Sequence, residues 1–316
     1  MKPWLLSIPA AALVGGYLGF RRACRRMEDP DWDSQEALKQ TIYAEFSCSI
    51  PRARQWLRDH RAQDVSIRSF DGLTLRGQWV PAENSFATIL LFHGYHSHHL
   101  QDFAAIYGLY HAIGLNLLLV RQRSHGESQG KYITFGVKER RDVLSWIEFH
   151  NRNHGMDNVY LGGMSMGAST LLFAAGEELP PNVRGITADC GFDSPAGIIG
   201  HIIRKDFHLP PALVLPLIDI WARLLGGFSF YECHTRDTLA RSKTPILMIH
   251  GKADSFVPWH MSRTGYEACA SEKELLLVEG AEHGRSYLVE PQRLEKALLD
   301  FFHRNLSHEF TQEEHI

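Results

Sequence analysis

Hydrophobic and polar positions alternate from Val65 to Phe70, break at Asp71-Gly72, and alternate again from Leu73 to Val80. A period of two marks a strand with one buried face, and an Asp-Gly turn between two such strands predicts a hairpin. The pattern then changes. Six short runs are mainly apolar throughout: Ala87 to Phe92, Leu115 to Val120, Val159 to Leu161, Gly185 to Ala188, Ile246 to Ile249 and Leu275 to Val278. Continuous apolar strands fit a sheet buried on both faces. Helices are predicted between them, over 101–113, 136–150, 165–175, 259–270 and 292–302. An antiparallel hairpin followed by strand–helix alternation predicts an α/β fold: a mostly parallel eight-stranded sheet with helices on both faces.

One interval breaks the rhythm. Asp189 and Pro245 are separated by about fifty residues, far more than a usual connection. The stretch includes Leu209 to Leu225, rich in Leu, Ile, Val and Pro with Trp221. It reads as a helical cap over the C-terminal edge of the sheet, inserted at about 193–243, or else as an ordinary helix packed on the core.

The N-terminus is a separate object. No charged residue occurs from Pro3 to Phe20, and Arg21-Arg22-Ala23-Cys24-Arg25-Arg26 follows. As a helix the uncharged run would span about 27 Å, which barely crosses a bilayer. An uncleaved membrane anchor is the expectation, giving a single-helix membrane association. A cleaved signal peptide and a docked helix are the alternatives. Four arginines after the run against Lys2 and the α-amino group before it put the body of the protein in the cytoplasm. The chain therefore divides into an anchor segment (1–26), a helical lead-in (27–60), the α/β domain (61–305) and a tail (306–316). On this reading a protein lacking residues 1–26 keeps its activity in solution.

With 44% apolar and 22% charged residues in 316, the chain can bury enough surface to fold, which excludes disorder for most of its length. A net charge of −3 argues against a nucleic-acid partner. The five cysteines are scattered, with no Cys-x-x-Cys pair. Neither a zinc cage nor a thioredoxin-like site is indicated, and a reducing compartment fits.

The chemistry gathers at strand ends. Gly163-Met164-Ser165-Met166-Gly167 follows an apolar strand and precedes a helix of small residues, the strand–turn–helix context that makes Gly-x-Ser-x-Gly a nucleophile elbow. A serine hydroxyl needs a base, and the base a carboxylate to orient it. Asp254, in His250-Gly-Lys-Ala-Asp254, follows the seventh strand, and His283, in Ala281-Glu-His283, follows the eighth. Both emerge at the sheet edge that carries Ser165, where α/β sites form. Asp189 and Asp193 are alternative acids, and His125 is an alternative base on the wrong side of the chain order.

These stretches, with Phe92-His-Gly-Tyr95 and Ser124-His-Gly-Glu-Ser128, make the chain from about residue 60 to 305 resemble the α/β-hydrolase superfamily. It is most similar to bacterial serine hydrolases of the esterase/lipase-like or serine aminopeptidase-like kind. The resemblance implies Ser165 as nucleophile, Asp254 as orienter and His283 as base. The chain departs from it at Arg121-Gln-Arg-Ser124, where relatives often carry an Asp and a Gly before the His-Gly pair.

Acyl transfer places negative charge on a carbonyl oxygen, and two backbone N–H groups should meet it. Met166, after the nucleophile, and Tyr95, after the third strand, are the expected donors. His93, His96, His98 and His99 crowd the same loop. They admit a metal site, but with no carboxylate or Cys at ligand spacing they read better as a polar loop at the mouth. No metal or other cofactor is expected. The expected activity is hydrolysis of a carboxylic ester with an apolar acyl group, bound under the cap, through an acyl-enzyme. A short-peptide substrate or a catalytically silent binding protein are the alternatives.

Overall fold

The structure, a computed structural model, describes residues 4–26, 29, 31–32, 34–39 and 48–306. All but the first residue of the expected tail, and parts of the lead-in, lie outside them. Eight strands form one sheet: β1 (Gln63–Arg68), β2 (Thr74–Val80), β3 (Ala87–Phe92), β4 (Leu115–Arg121), β5 (Asn158–Met164), β6 (Val183–Asp189), β7 (Ile246–Gly251) and β8 (Lys273–Val278). Their order is β1-β2-β4-β3-β5-β6-β7-β8. The sheet is mixed. β2 runs antiparallel to both β1 and β4, and the remaining neighbours pair parallel. All six residues of β3 and of β7 are buried, the polar Thr88 and His250 among them.

The hairpin differs in detail from its two-residue expectation. β1 ends at Arg68, and the connection runs from Ser69 to Leu73. The Ser69 hydroxyl accepts the Leu73 N–H and donates to Asp71, while the Gly72 N–H donates to the Ser69 carbonyl. Such local side-chain bonds compete with the ladder and widen the turn. Phe70 is freed to lie under the guanidinium groups of Arg141 and Arg123.

The helices are α1 (Trp4–Cys24), α2 (Gln35–Lys39), α3 (Ser49–Asp59), α4 (His99–Asp102), α5 (Tyr107–Ala112), α6 (Glu139–His154) and α7 (Met166–Ala174). After β6 come α8 (Pro195–Phe207), α9 (Pro211–Trp221), a π-helical turn (Ala222–Gly226) and α10 (Thr235–Leu239); α11 (His260–Ala268), α12 (Ser286–Val289) and α13 (Pro291–Arg304) complete the chain. The helix predicted over 101–113 is thus two short helices. On one face of the sheet, α3, α5 and α13 bury Leu57, Tyr110 and Phe302 in one cluster with residues of β3, β4 and β5. On the other, α6 and α7 bury Trp146, Ile147 and Leu171.

The stretch after β6 is helical, and its apolar side chains share a cluster with Tyr95, Phe192 and Val257, which follow β3, β6 and β7. Its Ile198, Ile203, Leu215 and Ile218 pack in a third cluster with Met166 and Phe173 of α7 and with Phe20 and Cys24 of α1. Helix α1 is held there by close approach. A Cβ on Gly16 would lie 2.5 Å from the Leu217 carbonyl oxygen, and one on Gly19 would meet Ile218. The Trp221 indole donates to the Leu13 carbonyl at 2.9 Å. Small residues let two helix backbones come this near, in water as in lipid. Among the described residues, no helix is long and apolar enough to cross a membrane.

The loop after β4 explains the departure at Arg121-Gln-Arg-Ser124. Arg123 is buried and binds Asp142 with two hydrogen bonds, at 2.6 and 2.7 Å, and Asp71 with two more, at 2.9 and 3.1 Å. Removing one partner of such a pair leaves a buried charge unanswered, which costs several kcal/mol.

Candidate active site

The site forms where connections leave the sheet in opposite directions. From β3 the chain turns to one face through α4 and α5, and from β5 it turns to the other through α7. A crevice opens at such a switch point, beyond the carboxyl ends of the strands.

Ser165 sits in the turn between β5 and α7 with φ 53° and ψ −115°, outside the ordinary helical and extended regions. The flanking glycines are required by space. A Cβ on Gly167 would fall 1.9 Å from the Phe92 carbonyl oxygen, and one on Gly163 would fall 2.6 Å from the Ala168 nitrogen. The Ser165 N–H donates to the Asp189 carbonyl at 2.8 Å, which ties the turn to β6.

The three sequence-predicted residues meet. The Ser165 hydroxyl lies 2.9 Å from His283 Nε2, and His283 Nδ1 lies 2.6 Å from Asp254 Oδ2. Asp254 is buried, and its other oxygen accepts the N–H groups of Phe256 and Val257 at 2.9 and 2.8 Å. His250, on β7, places Nε2 3.2 Å from Asp254 Oδ2. Burial alone would raise the Asp254 carboxyl. Hydrogen bonds from His250 and His283 outweigh it and hold the group well below the usual carboxylate range. The acid is therefore charged whenever the histidine needs an anion behind it.

The alternatives are engaged elsewhere. The Asp189 side chain accepts from Ser286 at 3.3 Å, Asp193 from Ser194 at 3.0 Å, and His125 Nε2 from the His96 N–H at 3.2 Å. His250 escaped the sequence reading because it is one of eighteen histidines. Its position next to the end of β7, four residues before Asp254, was the signal that could have found it.

The loop expected to supply the first oxyanion donor lies against the serine. A Cβ on Gly94 would sit 3.3 Å from the Ser165 Cβ. The Gly94 N–H donates to Asp102 Oδ2 at 2.7 Å, and Ser97 donates to Asp102 Oδ1 at 2.6 Å, which holds the loop that carries Tyr95. Met166 opens α7, where the first N–H groups have no partner inside the helix. The Tyr95 hydroxyl donates to the Ala23 carbonyl at 2.8 Å and so joins this loop to α1.

The histidines of the loop do not converge. His93 Nδ1 contacts the Gly94 carbonyl, His98 Nδ1 accepts the Leu100 N–H, and His99 Nδ1 meets the Tyr107 hydroxyl. Among the described residues, the one group with ligand atoms close enough for a metal is Cys190, Asp254 and His283, within the site itself. Burial pushes the pKa of His93 down to about 4, and burial lowers those of His98, His99, His125 and His150 as well. Burial raises Asp102, Asp142 and Asp189 to about 6, with the opposite consequence. Below pH 6.5 the unfolded chain takes up protons that these buried histidines refuse, while the three carboxyls take up protons in the folded state from about pH 6. The histidines outnumber the carboxyls, so stability falls as pH drops below 6.5. Urea midpoints measured from pH 7.5 to 4.5 should drop through this window, and flat midpoints would contradict the buried, neutral histidines.

A cavity of about 950 Å³ opens at Ser165 and His283. Its apolar walls come from α3, α5 and their neighbours and from α12 and α13, with Trp56, Tyr107, Leu288 and Leu298 among them. Asp102 and Asp189 also line it. No residue between 193 and 243 does, so the expected cap insertion contributes nothing to the walls of this cavity.

The fold has known counterparts. The esterase Pf2001 of Pyrococcus furiosus superposes with a TM-score of 0.66 at 23% identity, covering 79% of this chain and 94% of its own. The α/β hydrolase GrgF of a Penicillium species does so at 0.62 and 19% identity, covering 78% and 99%. In sequence, the uncharacterized protein YqkD of Bacillus subtilis is 28% identical over 238 residues, 74% of this chain and 77% of the relative. No protein-family model matches the chain. The chain has the fold of the α/β-hydrolase superfamily.

Proposed function

We propose that the protein is a serine hydrolase that cleaves carboxylic esters with an apolar acyl group. The observation that carries this reading is the unbroken hydrogen-bonded path Ser165–His283–Asp254 at the mouth of a largely apolar cavity. Ser165 Oγ attacks the ester carbonyl while His283 Nε2 takes its proton, and Asp254 keeps the other imidazole nitrogen protonated and aimed. The N–H groups of Tyr95 and Met166 receive the oxyanion. His283 then gives the proton to the departing alcohol, and a water activated by the same nitrogen frees the acid from Ser165.

The acyl chain runs between α3, α5 and α13, and the similarity to an esterase supports this substrate class. Helices α8 and α9 act as a cap of an unusual kind, one that covers the elbow helix rather than the cavity. Asp102 and Asp189 favour a second reading, a short peptide whose amine pairs with these carboxylates. The test is a series of p-nitrophenyl esters of rising chain length beside aminoacyl p-nitroanilides. We expect turnover of esters with an optimum at medium or long acyl chains. Turnover confined to the anilides would replace the ester reading with the peptide one.

A further inference from the structure

We propose that α1 and α9 form a two-helix platform that seats in the surface of an anionic phospholipid bilayer, lying in its plane rather than crossing it. Both helices spend their inner faces on the protein. Phe20 and Cys24 of α1 and Leu215 and Ile218 of α9 are buried in one cluster, and the seam between the helices is closed at Gly16, Gly19 and Trp221. Their outer faces are apolar. Val14 and Leu18 are 57% and 59% exposed, one turn apart on α1. Leu213 of α9 and Leu224 of the π-helical turn are 70% and 69% exposed, with Ile220 between them. Nine of the fifteen large apolar side chains exposed among the described residues lie on α1 or between 207 and 225. Concentration of this kind marks an interaction surface, whereas single exposed apolar residues need no explanation.

Charge identifies the occupant. The face of α1 that carries Val14 and Leu18 continues one turn on as Arg21, Arg22 and Arg25, all exposed. The chain holds no acid before Glu28. The one acid on α9, Asp219, is buried and paired to Arg223 at 2.7 Å. An apolar face bordered by arginines is the pattern of a helix lying at a bilayer interface, with its leucines among acyl chains and its guanidinium groups at phosphates. A second copy of the chain would bring the same basic row and no exposed acid from either helix to answer it. The exposed acid that precedes α9 along the chain, Asp206, stands beside Arg204 and Lys205 at the end of α8.

The test is flotation of the full chain with vesicles of phosphatidylcholine, with and without phosphatidylglycerol. We expect the protein to rise with the anionic vesicles and to be released by salt. Leu213→Glu with Leu224→Glu should lower the bound fraction at least about tenfold, and so should Arg21→Glu with Arg22→Glu. All four side chains are exposed, so thermal midpoints and turnover of a short soluble ester should stay as in the parent. Because flotation does not read turnover, the result is independent of the ester reading. Failure of the parent to float, or equal flotation by the leucine variant, overturns the proposal. A dimer in light scattering that the leucine pair splits overturns it in favour of a contact between copies.

Discussion

Replacing Ser165 by Ala is expected to cut kcat/KM for p-nitrophenyl esters by at least about a thousandfold, with the thermal midpoint unchanged. On the proposed mechanism the hydroxyl is the attacking group, and among the described residues its one side-chain partner is His283 Nε2, so its loss removes chemistry and no packing. Alanine meets the same backbone angles as serine, so the turn keeps whatever strain it holds. Asp254→Asn extends the argument. Oδ1 keeps the N–H groups of Phe256 and Val257, and the geometry survives. The amide now donates to His283 Nδ1, which forces the proton onto Nε2, where it can no longer accept from the serine. A loss of about 10³–10⁴ in kcat follows, with little change in KM. Persisting turnover in Ser165→Ala would put the nucleophile elsewhere and end the ester mechanism as written.

Deleting residues 1–26 is expected to destabilise the protein, in contrast to the sequence-based expectation that the remainder works alone in solution. The deletion strips Phe20 and Cys24, both wholly buried, from the cluster that supports Met166 and Phe173. Emptying such a site costs on the order of 5 kcal/mol, which corresponds to a fall of roughly 10 °C in thermal midpoint. Activity should fall further than stability alone requires. The Tyr95 hydroxyl loses the Ala23 carbonyl, His96 loses the Arg25 carbonyl, and both stand in the loop beside Ser165. Calorimetry and ester kinetics of the full and shortened chains check both effects. Equal midpoints and equal rates would mean that α1 contributes nothing to the body it packs on.

The two predictions mark the boundary between what could be read along the chain and what could not. Eight strands followed from two kinds of apolar pattern, because the period of side-chain direction is a local property of the backbone. Ser165, Asp254 and His283 were legible because each follows an apolar strand, and parallel strands deliver their ends to one edge. The partners of Asp254 were not. His250 is chosen from eighteen histidines by β7 and the turn to Val257, and no spacing rule singles it out. The ion pairs of Arg123 join residues 52 and 19 positions away, a juxtaposition made by packing.

The side of the sheet on which the cavity opens was equally hidden, since a long apolar insertion looks the same whether it roofs a pocket or braces a helix. The N-terminal run shows the reason most plainly. An apolar stretch ending in arginines is determined by sequence to leave water, but not to choose between lipid and protein. Only the tertiary structure, by fitting Leu217 and Ile218 against Gly16 and Gly19, decided that one face of α1 belongs to the protein.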